Sequence, residues 1–230
     1  MKKTGILGGT FDPIHNGHMA MAERAIEQLG LDEMILLPAG NPYFKKGITP
    51  YEERYEMCKR AARESRYAQK ISVSRLEADE SKPTYTYVTL AAVKESDPEA
   101  ELYFLCGADV LQSIDSWRNP EGIFAVARLA VFERDGSESV RRSALALKEK
   151  YRDADCVFIS GDVPDISSTM VRECVKKGES IEGLVSVAVA EFIENMGFYQ
   201  DSQAGKFSYG NHRFPASLFR FAQNDRQVSS

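Results

Sequence analysis

Apolar, β-branched residues gather in short runs at positions 4–7, 34–38, 71–76, 102–106, 129–132 and 156–160. Each run is short enough for one strand. Between them, positions 19–29, 51–63, 87–95 and 144–151 carry apolar residues at helical period, and a further helix is predicted over 184–195. Alternation of strand and helix predicts an α/β fold, a Rossmann-like doubly wound parallel sheet with helices on both faces. The punctuation agrees. Thr49-Pro50-Tyr51-Glu52 reads as a capping box with proline at the first helical position, and Asn195-Met196-Gly197 reads as a glycine stop.

No repeat of fixed period interrupts this pattern, so one α/β domain over 1–200 is expected. From Asp201 the chain turns polar and irregular. Residues 201–230 are read as a tail, either disordered or carrying one short docking helix through Phe214, Leu218, Phe219 and Phe221. It is assigned no function.

Composition changes the picture little. The 230 residues are 43% hydrophobic and 27% charged, as in ordinary soluble domains. A net charge of −5 argues against a general nucleic-acid binder, but an anionic small molecule needs only local donors. The longest apolar stretch, near 185–193, is broken by Ser186 and Glu191 and is too short to span a membrane. Gly5-Ile6-Leu7 is too short for the core of a signal peptide, so a cytoplasmic protein is expected. Cys58, Cys106, Cys156 and Cys174 form neither a C-x-x-C pair nor a zinc-finger spacing, and are read as reduced, mostly buried thiols.

The chemistry concentrates after the first predicted strand, where Gly8 to His18 read GGTFDPIHNGH. In a parallel α/β sheet, ligands bind at the carboxyl ends of the strands. A loop there with Gly8, Gly9 and Gly17 lets backbone approach a ligand and aims helix N–H groups at an anion. It is neither the G-x-G-x-x-G fingerprint nor a P-loop. Two of the chain's three histidines, His15 and His18, lie here three residues apart. With a helix beginning near Asn16 they face one side of a ligand and donate to phosphate oxygens; the competing reading is a pair of capping or packing histidines. Far along the chain, Ile166 to Arg172 read ISSTMVR, a hydroxyl-rich helix start with a guanidinium one turn in, suited to clamping an anion.

GGTFDPIHNGH resembles the H-x-G-H signature of the nucleotidyltransferases, in the variant found in bacterial nicotinate-nucleotide adenylyltransferases, and ISSTMVR resembles that family's second signature. The similarity runs from Thr4 to about Tyr199. It implies adenylyl transfer from ATP to nicotinate mononucleotide, with Mg²⁺ carried mainly by the nucleotide and no protein metal ligand assigned. It also implies His18 and His15 on the triphosphate, Ser167 on the ATP side, and Arg172 with Ser168 and Thr169 on the departing phosphates. Gly8, Gly9, Thr10 and Phe11 fall on the ATP side, Gly107 and Asp109 on the adenylate ribose, and Arg134 near the adenylate or triphosphate. Thr84, Tyr85, Thr86, Lys45 and the sole tryptophan, Trp117, fall on the pyridine nucleotide. Asn41-Pro42-Tyr43-Phe44-Lys45 departs from the family's P-P-H-K: the lysine stays and the histidine is lost. Asp12 reads equally as a water-mediated metal contact and as a turn initiator.

The implied reaction needs no general base, because a phosphomonoester with a second pKa near ~6 is already largely dianionic at neutral pH. Phosphopantetheine adenylyltransferase shares the H-x-G-H logic and is the main alternative, with a non-catalytic nucleotide sensor behind it. Partners are small molecules, with no nucleic acid and no membrane, and a homo-oligomer is left open.

Overall fold

Strands Lys3–Gly9 (β1), Glu33–Pro38 (β2), Ile71–Val73 (β3), Glu101–Gly107 (β4), Ala127–Phe132 (β5) and Cys156–Ile159 (β6) form one parallel sheet in the order β3-β2-β1-β4-β5-β6. The computed structural model describes residues 1–40, 47–133 and 138–200, of which residues 1–199 form one unit. Lys45, Arg134 and the segment 201–230 lie outside the described residues.

Both faces of the sheet are apolar, which is why the strands read as continuous hydrophobic runs. Along β4, Leu102, Phe104 and Cys106 face one cluster of buried residues while Tyr103 and Leu105 face the other. Helices Asn16–Leu29 (α1) and Tyr51–Glu64 (α2) contribute Ala22, Ile26, Met57 and Cys58 to the second cluster. Helix Thr86–Ser96 (α3), the short helices Ala108–Ser113 (α4) and Pro120–Phe124 (α5), and helix Glu138–Lys150 (α6) contribute Leu90, Leu111, Ile123 and Leu147 to the first. Helices Ser168–Lys177 (α7) and Val187–Met196 (α8) return to the side of α1 through Val171 and Val189. The expected doubly wound fold is therefore present. The chain builds outward from β1 to β3 and returns beside β1 with β4. That reversal opens a crevice at the carboxyl ends of β1 and β4, the usual ligand position in such sheets.

Several boundaries differ from the sequence expectation. There is no capping box at Thr49: Pro50 is the N-cap of α2 with no side-chain cap, and the Thr49 hydroxyl donates to Tyr199 Oη at 3.2 Å. β3 ends at Val73, because Ser74 makes its last sheet bond to Leu36 O and its Oγ then accepts from Leu76 N in a turn. α6 begins six residues earlier than its apolar spacing suggested, since its first turns are polar and face solvent. α8 starts at Val187, behind a turn from Ile181 to Leu184. Its stop at Gly197 is as expected.

Candidate active site

The first crossover sets the site. β1 ends at Gly9, the chain turns through a cis Asp12-Pro13 peptide, and α1 begins at Asn16 with His15 as N-cap in extended conformation. His15 Nδ1 accepts the backbone N–H of His18 at 3.4 Å, and His18 Nδ1 accepts the backbone N–H of His15 at 3.3 Å. The two histidines thus form a reciprocal capping box. Capping and phosphate contact were competing readings of the sequence, yet the geometry makes them compatible. With each Nδ1 used as an acceptor, each neutral ring carries its proton on Nε2. The rings stack at 3.6 Å, and burial holds the His15 pKa down at about 4. Burial thus favours a neutral His15 ring.

Phe11 supports this pair rather than lining the ATP side. Its side chain is buried, its φ is +50°, and its ring meets the His18 ring edge-on at 4.9 Å. The Phe11 ring lines neither cavity described below and wedges His18 from inside the core. Gly17 is required by close approach, because a Cβ there would lie 3.0 Å from His15 Nδ1 and 3.1 Å from Pro164 O.

The second motif docks directly on the first. Ser167 caps α7 by accepting from Met170 N at 3.1 Å, and Ser168 Oγ donates to Pro13 O at 2.8 Å. Arg172 donates from Nη1 to Asp12 O at 2.6 Å and from Nη2 to Thr169 Oγ1 at 3.1 Å. One of the five guanidinium donors holds the loop and one holds Thr169 on the same helix, which leaves three for a ligand. Only Ser168 spends its hydroxyl proton on structure; the Ser167 and Thr169 oxygens accept, which leaves their O–H donors available beside Arg172.

These elements enclose a cavity of about 940 Å³ lined by His15, His18, Asp109, Ser168, Thr169 and Arg172, among others. Gly107, at the end of β4, and Asp109, just beyond it, also line this cavity. A second cavity of about 640 Å³ is lined by Gly9, Thr10, Thr84, Tyr85, Thr86 and Trp117. Gly8, Phe104 and Trp117 line both, so the two hollows meet at the end of β1. Trp117 is half-buried, with its ring edge-on to Phe104 at 6.2 Å. Among the described residues, those expected on the two substrates divide between two adjoining spaces, except that Gly9 and Thr10 fall in the smaller one, Gly8 and Trp117 line both and Phe11 lines neither.

Sequence reasoning missed the residues that brace these loops. Arg54 is fully buried and donates to three carbonyls: Thr10 O and Thr49 O at 2.7 Å and Gly40 O at 3.2 Å. It ties the first loop to the second. Its signal was present, since Arg54 lies on the apolar stripe of α2 with Tyr51, Met57, Cys58 and Ala61. Tyr199 Oη donates to Asp12 Oδ1 at 2.7 Å, and burial raises the tyrosine pKa. Gly40 packs so closely that a Cβ would overlap the Glu77 backbone carbonyl.

The fold and the paired motifs define a nucleotidyltransferase: the family model described as cytidylyltransferase-like matches residues 6–174. Among curated relatives, a Clostridium kluyveri protein named probable nicotinate-nucleotide adenylyltransferase is 38% identical over 207 residues, covering 87% of this chain and all of its own. A Dehalococcoides mccartyi protein of the same name is 40% identical over 200 residues, covering 86% of this chain and 97% of its own. In architecture the chain matches the Plasmodium falciparum nicotinic acid mononucleotide adenylyltransferase complexed with NaAD, at a TM-score of 0.72 and 23% identity, over 86% of this chain and 98% of that one. The chain belongs to the nicotinate-nucleotide adenylyltransferase family.

Proposed function

We propose that the protein transfers the adenylyl group of ATP to nicotinate mononucleotide, releasing pyrophosphate and forming nicotinate adenine dinucleotide, in the cytoplasm and by direct in-line displacement. A phosphate oxygen of the mononucleotide bonds to the α-phosphorus as the bond from that phosphorus to the oxygen bridging it to the β-phosphate breaks, and the electron pair leaves on that oxygen with pyrophosphate. The observation that supports the reading is the docking of Arg172 and Ser168 on Asp12 and Pro13, which brings the guanidinium to the cavity that His15 and His18 line. Such a site holds reactants in line and stabilises charge as it builds. A substrate dianion needs no base.

In this reading His18 donates from Nε2 to the α-phosphate, His15 to the neighbouring triphosphate oxygens, and Arg172 with Thr169 holds the departing phosphates. Asp109 accepts from the ribose hydroxyls, and Gly8 gives the triphosphate close backbone approach. Trp117 offers its exposed face to the pyridine ring, with Thr84, Tyr85 and Thr86 around it. Lys45 and Arg134 keep the roles that the resemblance implies, on the pyridine nucleotide and near the adenylate or triphosphate. Mg²⁺ bound with ATP supplies charge neutralisation on the polyphosphate. Among the described residues no cluster of three His, Cys, Asp or Glu side chains forms a metal cage. Reduced thiols suit a cytoplasmic setting, and all four cysteines are free.

The test supplies Mg-ATP with nicotinate mononucleotide, nicotinamide mononucleotide or phosphopantetheine separately and measures released pyrophosphate. Release dependent on nicotinate mononucleotide supports the reading. Release dependent on phosphopantetheine alone replaces it.

A further inference from the structure

The smaller cavity has the walls of a slot for a flat ring, with Leu37, Leu90, Phe104 and Trp117 among its lining residues. Only two charged side chains line it among the described residues, Glu77 and Arg118. Glu77 is buried and takes the Thr89 hydroxyl on Oε1 at 2.7 Å. A carboxylate at that position opposes an acidic ligand, and Arg118 is the one cationic side chain among the described lining residues that can offset it.

We propose that Arg118 determines specificity in the reaction: its guanidinium pairs with an acidic substituent on the ring of the pyridine nucleotide and so selects the acid over the amide. This rests on the reading of the slot as the pyridine-nucleotide site. Arg118 is placed by its backbone, between the 3-10 turn Ile114–Ser116 and α5, whose N-cap Asn119 has φ +53° and accepts from Gly122 N. Its Nη1 donates to Tyr85 Oη at 3.1 Å, and the guanidinium lies over the Tyr85 ring, 4.7 Å from its centre. Among the described residues no carboxylate pairs with it. An exposed cation–π contact is worth only about 0.5–1 kcal/mol. A ligand carboxylate offers the same fork two parallel charge-assisted hydrogen bonds, which are stronger, so the acid draws the guanidinium to itself. A carboxamide gives one neutral acceptor and no charge. The substrate's own phosphate does not compete for Arg118, because it must lie at the His18 end to react.

The experiment measures kcat/KM of the full chain with Mg-ATP for nicotinate mononucleotide and nicotinamide mononucleotide, in the wild type, Arg118→Gln and Arg118→Lys, with thermal midpoints recorded alongside. Losing a charge-assisted pair should cost Arg118→Gln about 10-fold or more in kcat/KM for the acid, mostly through KM. The amide should lose far less, so the acid-to-amide ratio collapses, and Arg118→Lys should recover part of it. A wild type with no preference for the acid, or an Arg118→Gln variant that keeps its preference, overturns this inference alone. A wild type that releases pyrophosphate with neither nucleotide overturns the functional reading and this inference with it.

Discussion

His18 is asked to do two things with two different nitrogens, and substitutions can separate them. Its Nδ1 accepts the His15 backbone N–H at 3.3 Å, while Nε2 carries the donor assigned to the α-phosphate. Asparagine places its side-chain oxygen where Nδ1 stands and has nothing at Nε2; glutamine reaches the Nε2 position and gives up Nδ1. Losing a helix cap costs about 1 kcal/mol of stability. Losing one transition-state donor costs about 10²–10³ in kcat, or about 2.7–4 kcal/mol of barrier. His18→Asn should therefore keep a thermal midpoint close to wild type and lose at least about 10²-fold in kcat for pyrophosphate release, with KM for ATP little changed. His18→Gln should show the reverse weighting, a lower midpoint with more of its turnover retained. His18→Ala should show both losses. A His18→Asn enzyme with near-normal turnover, or a glutamine variant as inactive as alanine with full stability, would refute the division of labour.

Four further outcomes follow. His15 titrates at about 4 when folded against about 6.5 when unfolded. Between those values the unfolded chain binds more protons, so stability should fall as pH drops from about 6.5 to about 4 and be unaffected by this group above that range; a His15→Asn variant with the same pH profile of thermal midpoint would contradict it. Arg172→Ala should raise KM for ATP and lower kcat together, and an unchanged KM would count against its place on the phosphates. Tyr199→Phe leaves the buried Asp12 carboxylate without its phenol donor, so denaturant unfolding should show a loss of about 1–3 kcal/mol, and an unchanged midpoint would dismiss the bond. Gly40→Ala drives a Cβ into the Glu77 carbonyl, a backbone atom that cannot rotate aside. It should cost about 1–3 kcal/mol and raise KM for the pyridine nucleotide; a fully stable variant with unchanged KM would show that the loop yields freely.

The strands were legible where burial on both faces made them continuous, as in β4 and β5. β3 was overextended because Ser74, Arg75 and Leu76 keep a strand-like composition after the sheet has ended. The two signatures located the site, since their spacing encodes a local geometry: a cap, a close glycine approach and a helix start. What spacing could not encode is contact across the chain. Tyr199 and Asp12 are 187 residues apart, and Arg54 reaches Thr10 across 44. Thr49 has the sequence of a cap and spends its hydroxyl on tertiary structure instead. The histidines show the converse. A choice between capping and phosphate contact, open in the sequence, dissolves once the two nitrogens of each ring are placed separately.

The most direct measurement is a crystal structure of the protein with Mg²⁺ and a non-hydrolysable ATP analogue. The account predicts both imidazole Nε2 atoms and the Arg172 guanidinium at about 3 Å from oxygens of a single triphosphate, with each Nδ1 still accepting its backbone N–H. A triphosphate bound away from these groups, or histidine rings turned so that Nδ1 faces the phosphates, would contradict it.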